Sequence, residues 1–194
     1  MGLFKLEHSK LAYVTDFALY SFTVLGLLAY LIAYVPSGRE LQVFGLVVLG
    51  LVGWTVIEYI LHRFVLHGLR PFNRWHAEHH QRPNALICAP TILSASLIVI
   101  LIFVPALFAT DVLRASALTL GVMTGYLSYA VTHHAIHHWR SDSAWLKQRK
   151  RWHALHHHVN QPGYYGVTSG FWDYLLASKH HAKKPIQRTK QLTP

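Results

Sequence analysis

The chain has 194 residues, of which 52% are hydrophobic and only 13% are charged. That charged fraction is about half the usual value for a soluble domain. A single cysteine, Cys88, excludes an intramolecular disulfide framework and an iron–sulfur cluster held by cysteines. The net charge of +10 suits either nucleic acid or anionic lipid. Long apolar runs favour the lipid, so we expect a membrane protein that binds no nucleic acid.

Four apolar segments are long enough to cross a bilayer as helices, which takes about 20 residues. In chain order they cover residues 17–35, 41–67, 86–110 and 115–138. The first is followed by Pro-Ser-Gly-Arg-Glu instead of a small-residue cleavage site. We therefore interpret it as a retained span and not as a signal peptide. In the third segment, Pro105 predicts a kink.

The distribution of positive charge predicts the topology. Of the 18 lysines and arginines, only Arg39 and Arg114 lie on the side opposite both termini. The positive-inside rule then makes the amino and carboxyl termini cytoplasmic in a multi-pass protein. This arrangement brings both histidine-rich connections to one membrane face. We expect one membrane-embedded domain over residues 1–182 and a basic tail over residues 183–194. Within the basic run Lys147–Arg151 we expect a solvated face beside anionic headgroups.

Histidine is unusually frequent, with 16 residues, and it is the commonest protein ligand for metals. All but His8, His180 and His181 fall into four groups at or beyond the predicted cytoplasmic ends of the second and fourth spans. The groups are HRFVLH (His62, His67), HAEHH (His76, His79, His80), HHAIHH (His133, His134, His137, His138) and HALHHH (His153, His156, His157, His158).

Spacing along helices predicts which of these histidines can share a metal. Residues three or four apart lie on one helix face, so each HxxHH triplet can point at one ion. The third group contains two such pairs about 100° apart, and only one pair can face a given metal. His62 and His67 are five apart, about 140° out of alignment on an unbroken helix, which suits two different metals or a fraying helix end. We favour two metals, because ten imidazoles exceed the needs of one ion.

Two carboxylates in apolar parts of the sequence lie near the histidine groups. Glu58 lies one turn before His62 inside an apolar span, where an unpartnered ionisable group is costly. We expect it to accept a hydrogen bond from a ligand imidazole, with a plain interhelical hydrogen bond as the alternative. Asp173 is expected to act in the same way.

These motifs resemble the fatty acid hydroxylase and sterol desaturase superfamily. The resemblance rests on EYILHRFVLH, HAEHHQRP, HHAIHH, HALHHH and YYGVTSGFWDYLL, in this order over residues 58–176. The HRFxxH opening and the GVTSxFWD ending are most similar to the fatty acid 2-hydroxylase branch. The resemblance implies an all-α integral membrane fold with four transmembrane helices and a cytoplasmic helical cap that carries a di-metal site.

The resemblance also implies a ligand set. In the third group, the family pattern corresponds to His133 and His137 as ligands. His134 and His138 are then candidates for side chains that contact the ligands without binding the metal. The implied metal ligands are His62, His67, His76, His79, His80, His133, His137, His153, His156 and His157. The family often has an acidic residue where this chain has Ala130. A carboxylate contact to a ligand histidine is therefore absent at this position or comes from another residue.

The implied chemistry is hydroxylation of an acyl chain by two iron ions, with O2 as co-substrate and water as the second product. Zinc could occupy the same imidazoles in purified protein. Since no cytochrome b5-like segment is evident, we expect a separate electron donor, either cytochrome b5-like or ferredoxin-like with a reductase. The alternatives are a carotenoid hydroxylase, against which GVTSGFWD argues, a sterol hydroxylase or desaturase, and a non-enzymatic metal or haem carrier. A desaturase would share this ligand set.

Overall fold

The computed structural model describes residues 7–87, 89–158 and 163–178. Within them the regular secondary structure is helical, apart from one isolated bridge between Glu7 and Ile87, and turns and loops connect the helices. The helices are α1 (Lys10–Tyr34), α2 (Glu40–Ile60), α3 (Phe72–Gln81), α4 (Thr91–Ile98), α5 (Val104–Ala109), α6 (Val112–His138), α7 (Ala144–His158) and α8 (Phe171–Leu175). Two π-helical turns, Leu61–Leu66 and Val99–Phe103, extend α2 and join α4 to α5. Cys88, His180, His181 and the predicted basic tail lie outside the described residues.

Among the described residues, three helical stretches are long and apolar enough to cross a membrane: Lys10–Tyr34, Glu40–Leu66 and Thr91–Ala109. Large apolar side chains along them are exposed, including Phe22 at 74% and Ile100 at 60%. Such contiguous apolar surface is typical of a protein that lies in lipid. The expectation of an integral membrane protein is therefore confirmed, with helices at the first three predicted spans.

The fourth predicted span corresponds to α6, which is the central helix of the bundle. Its 27 residues extend over about 40 Å. It packs along α2 and α1 and buries Ala115 and Ala117 completely. Because neighbouring helices cover α6, it carries small and polar residues such as Ser116 and Thr119 instead of a lipid-facing apolar surface. Its composition does not match the other three stretches, so a fourth span stays a prediction.

Two glycines allow α2 and α6 to approach closely. A Cβ atom placed on Gly50 would lie 2.2 Å from the Leu118 carbonyl oxygen, and one on Gly121 would lie 2.1 Å from the Val47 carbonyl oxygen. Backbone atoms cannot move aside as a flexible side chain can. The crossing of α2 and α6 therefore requires glycine on both helices.

We expect Gly50→Ala to lower the free energy of unfolding by about 1–3 kcal/mol, because the added methyl group overpacks the crossing. Gly53→Ala is the matched control, since it lies three residues further along α2 and a Cβ there meets nothing within 4 Å. Denaturant unfolding of both variants in lipid nanodiscs provides the measurement. Equal stability of the two variants would contradict the close crossing.

The sequence predicts a kink at Pro105 in the third span. The backbone changes from a π-helix to an α-helix just before this residue. The π-helical turn Val99–Phe103 ends just before α5, whose first turn contains Pro105. The Val104 N–H still donates to the Val99 carbonyl oxygen, and Pro105 itself has no N–H to donate to the preceding turn.

A second small core fixes α7 against the end of α6. Leu146 of α7 packs with Ala135 and Ile136 of α6 and with Val167 of the loop that follows α7. Together these contacts place α7 and residues 163–178 beside the histidines at the end of α6.

Candidate metal centre

Within the described residues, eight histidines form two groups of four. In each group, one ring nitrogen of every member lies within 4.8 Å of the corresponding nitrogens of the others. The first group is His62, His67, His76 and His156, and the second is His79, His133, His137 and His153. All eight belong to the ligand set that the sequence resemblance implies.

The remaining two histidines of that set, His80 and His157, adjoin the groups. The Nε2 atom of His80 lies 3.0 Å from that of His76, and the Nε2 atom of His157 lies 2.9 Å from that of His153. The rings of His80 and His157 stack on each other with centroids 4.1 Å apart. All ten imidazoles therefore meet in one region as two adjacent sets of five.

The expectation that His62 and His67 face two different metals is wrong, because both lie in the first group. The backbone over Leu61–Leu66 is π-helical, and the wider turn of a π-helix aligns residues five apart instead of three or four apart. The two rings consequently lie with centroids 5.4 Å apart.

The nitrogen separations fit metal ions. The Nε2 atoms of His62 and His76 are 3.0 Å apart, and those of His137 and His153 are 2.9 Å apart. Two imidazole nitrogens at the usual ~2.1 Å from one ion, at right angles, would be about 3.0 Å apart. Moreover, both ring nitrogens of His79 are buried without a hydrogen-bond partner. A bound cation would satisfy the nitrogen that carries the lone pair.

Backbone carbonyls orient two of the candidate ligand rings. The Nδ1–H of His62 donates to the carbonyl oxygen of Tyr165 at 2.5 Å, and that of His156 donates to the carbonyl oxygen of Gly163 at 2.7 Å. These bonds fix the tautomer and leave the Nε2 lone pair directed at the first group. Neither contact could be predicted from the sequence, because every residue has a backbone carbonyl oxygen and nothing in the sequence marks these two.

The two carboxylates do not bond to a ligand imidazole as expected. Glu58 accepts the backbone N–H groups of Val167 at 2.6 Å and Thr168 at 2.9 Å, together with the Thr168 hydroxyl. The loop turns its carbonyls toward the histidines, so its N–H groups need acceptors of their own. Glu58 therefore holds the loop whose carbonyl oxygens accept from His62 and His156.

Asp173 serves the same loop from the other side. Its oxygens accept the N–H of Tyr165 at 2.8 Å, the N–H of Gly166 at 2.7 Å and the Ser178 hydroxyl at 2.7 Å. The side chain is completely buried. Because Tyr165 also supplies the carbonyl that accepts from His62, Asp173 is one peptide unit away from a ligand ring.

His134 and His138 lie on the side of α6 that faces α1 and belong to neither group. The Nδ1 atom of His134 lies 3.2 Å from the Tyr13 hydroxyl, and the two histidine rings stack with centroids 4.5 Å apart. Of the two i, i+4 pairs on α6, His133 and His137 are the pair that joins a group.

Arg149 departs from the expected solvated face, because it is 7% exposed. Its guanidinium lies over the Trp152 ring, 4.3 Å from the ring centroid, and its charge is favourable to the nearby carboxylates of Glu58 and Asp173. Helical periodicity could have revealed this burial. Arg149 lies four residues before His153, so the two share a face of α7.

Burial among other imidazoles keeps the histidines neutral. It lowers the pKa of His79 to about 2, and it also lowers the pKa of His76 and of His156. A neutral imidazole is the form that binds metal. In an unfolded chain the same side chains take up protons near pH 6.5.

We therefore expect the metal-free protein to lose stability as the pH falls below about 6.5, because only the unfolded state then binds protons at these positions. Denaturant unfolding of chelator-treated protein between pH 8 and pH 5 measures this slope. His79→Gln should give a shallower slope, since it removes one of the groups. A stability that does not change over this range would contradict the neutral cluster.

An open cavity of about 290 Å³ reaches the first group from outside. It is lined by His67, Asn73, Ala77, His80 and Gln81. A small molecule can therefore approach His67 and His80 along the exposed side of α3.

Comparison with known proteins identifies the family. Residues 47–178 match the model of the fatty acid hydroxylase family, and this stretch contains all ten histidines of the candidate site. The chain belongs to the fatty acid hydroxylase family. The fold is similar to the solved structure of scs7p, in which only the hydroxylase domain is visible. The match covers 91% of this chain and 68% of the scs7p chain, with 22% sequence identity and a TM-score of 0.71. That likeness confirms the all-helical fold.

Curated relatives of this chain include two proteins named as 2-hydroxylases. A dihydroceramide fatty acyl 2-hydroxylase of Arabidopsis thaliana is 33% identical over 154 residues, or 73% of this chain, and a fatty acid 2-hydroxylase of Rattus norvegicus is 31% identical over 145 residues, or 68% of this chain. The chain spans 64% of the length of the first relative and 38% of the second.

Proposed function

We propose that this protein is a di-iron, O2-dependent oxidoreductase that hydroxylates a lipid acyl chain at its 2-position. The observation that carries the proposal is the pair of adjacent histidine groups at the ends of apolar helices. The relatives support the position of attack, since their names specify fatty acyl 2-hydroxylation. They favour an acyl substrate over the carotenoid and sterol alternatives and over a non-enzymatic metal carrier.

In this proposal each ion has five imidazoles. His62, His67, His76, His80 and His156 would hold one iron, and His79, His133, His137, His153 and His157 would hold the other. When bound, the metal pair supplies the activation of O2 and the oxidation of the C–H bond. The protein's own residues hold the rings in place, through the loop carbonyls that accept from His62 and His156. Zinc is the metal that we expect to compete in purified protein.

The proposal includes the membrane arrangement. We infer that α6 is a fourth span, that both termini are cytoplasmic, and that α3, α7 and α8 form a cytoplasmic cap in a single domain over residues 1–182. The excess of lysine and arginine outside Arg39 and Arg114 supports this orientation. An acyl chain lying along the spans would have its polar head near the histidines, which favours oxidation close to the carbonyl group.

Mass spectrometry of lipids from cells that express this chain tests the proposed function. We expect acyl lipids that gain one oxygen atom, and fragmentation should place that oxygen on carbon 2. An empty-vector strain grown in parallel is the control. An oxygenated carotenoid or sterol in place of a 2-hydroxyacyl product would contradict the proposed substrate, and a new double bond without added oxygen would contradict hydroxylation.

A further inference from the structure

A groove of about 580 Å³ lies along the exposed side of α7. We call it the α7 groove, and it is lined by Ala144, Trp145, Lys147, Gln148, Arg151 and Trp152. Its chemistry is cationic and aromatic. Trp145 is half exposed, and Lys147 and Arg151 are both exposed. The histidine site does not use any of these side chains as ligands.

The α7 groove is positively charged, because Lys147 and Arg151 line it and α7 contains no acidic residue. Asp142, just before the helix, lies 2.9 Å from the Lys147 ammonium, and both side chains are highly exposed. A pair of this kind contributes little, at most about 1 kcal/mol, and yields readily to another partner. The groove therefore fits an acidic surface.

The α7 helix does not have the pattern of a helix that lies on a membrane surface. Such a helix needs an apolar face turned to the lipid, whereas Leu146 of α7 is 5% exposed and packs against Ala135 and Ile136. The apolar side of α7 thus faces the protein. Trp145, together with a Trp152 ring that packs partly against Gly170, is too small an apolar surface to hold the helix in lipid. The shape therefore favours an acidic protein over anionic headgroups.

The groove also lies close to the candidate metal site. Trp152, which lines it, is the direct neighbour of His153, whose Nε2 atom is 2.9 Å from those of both His137 and His157. The inner edge of the Trp152 ring packs against the backbone of Gly170, where a Cβ atom would lie 2.2 Å from it. Lys147 is six residues, or about 9 Å, from His153 along the helix axis.

We propose that the α7 groove is the docking surface for an acidic one-electron carrier protein. The inference rests on the proposed function, which consumes electrons from outside the chain. One C–H bond, one O2, two protons and two electrons give one C–OH group and one water. Two successive carriers are each oxidised by one electron at the groove, beside the helix that holds His153.

The experiment uses the full chain in nanodiscs of zwitterionic lipid and an acidic [2Fe–2S] ferredoxin as the probe. In the double variant Lys147→Glu and Arg151→Glu, we expect ferredoxin binding to weaken at least tenfold at low salt, with less salt dependence. The KM for reduced ferredoxin should rise in parallel while kcat stays within about twofold. Arg39→Glu, an exposed charge at the other end of the bundle, is the matched control and should bind as the unmodified protein does.

Three results would overturn the docking proposal. They are unchanged ferredoxin binding in the double variant, an equal loss in Arg39→Glu, or a loss that appears only when anionic lipid is added to the nanodiscs, which would assign the groove to the membrane surface. Metal content verifies that the double variant is folded. Product formed with a photoreduced neutral flavin separates the two proposals: activity with flavin but no binding of ferredoxin rejects the groove alone, and no product with either reductant rejects the proposed function.

Discussion

Replacement of His156 by alanine is expected to abolish lipid hydroxylation and to leave the chain with about one metal ion instead of two. His156 is 3% exposed, and its Nε2 atom lies 3.1 Å from that of His67 in the first group. Its removal deletes a ligand and also releases the Gly163 carbonyl, which accepts from its other nitrogen. Loss of a supporting contact alone weakens metal binding by about 10–100-fold, and loss of a ligand should exceed this.

The measurement combines metal analysis of purified protein with the mass spectrometry of 2-hydroxyacyl lipids. His134→Ala is the matched control, because His134 also lies in a histidine-rich helix end but faces Tyr13 of α1 and belongs to neither group. It should retain its metal and most of its activity. Full metal content and activity in His156→Ala would show that the two groups do not hold the metals.

Much of the candidate site could be predicted from the sequence, because helical spacing determines which histidines share a face. The HxxHH triplets on α3 and α7 are local patterns, and they locate the site. The expectation that each triplet points at one ion is wrong, because His76 lies in the first group and His79 in the second, and His156 and His153 are divided in the same way. The alignment of His62 with His67 could not be predicted in the same way. It depends on a π-helical turn, and a single wide turn leaves no clear mark in the composition of Leu61–Leu66.

Long-range contacts escaped prediction for a different reason. Glu58 bonds to backbone groups of Val167 and Thr168, more than 100 residues away in the chain. A backbone N–H has the same chemistry in every residue other than proline, so nothing in the sequence marks it as the partner. The sequence predicts an imidazole as the partner of Glu58, whereas in the structure this carboxylate accepts from Val167 and Thr168 of the loop.

The fold was predictable where helices face lipid and less so where they face each other. The stretches Lys10–Tyr34, Glu40–Leu66 and Thr91–Ala109 are predominantly apolar, as helices in contact with lipid are. In contrast, α6 is covered by α1 and α2. Its small residues, such as Gly121, allow the backbone of α2 to come close at Gly50. Hydropathy measures contact with lipid, so it describes a central helix poorly.

Replacement of Asp173 by asparagine is expected to lower the free energy of unfolding by about 3 kcal/mol and to weaken metal binding by about 10–100-fold. The substitution preserves the shape of the side chain but places an amide N–H2 against the N–H of Tyr165 or Gly166, both of which donate to Asp173. Two buried donors that face each other leave a polar group unsatisfied. The Tyr165 carbonyl, which orients His62, should then shift.

Asp142→Asn is the matched control for this substitution, because it removes the same charge from a fully exposed side chain that pairs only with Lys147 among the described residues. It should change the stability by less than about 1 kcal/mol. Denaturant unfolding in nanodiscs and competition with a chelator measure the two quantities. A normal stability with weakened metal binding would mean that Asp173 orients the loop without holding the fold together. If both quantities stayed at the values of the unmodified protein, the hydrogen bonds of Glu58 to Val167 and Thr168 would be sufficient to hold the loop against the histidines.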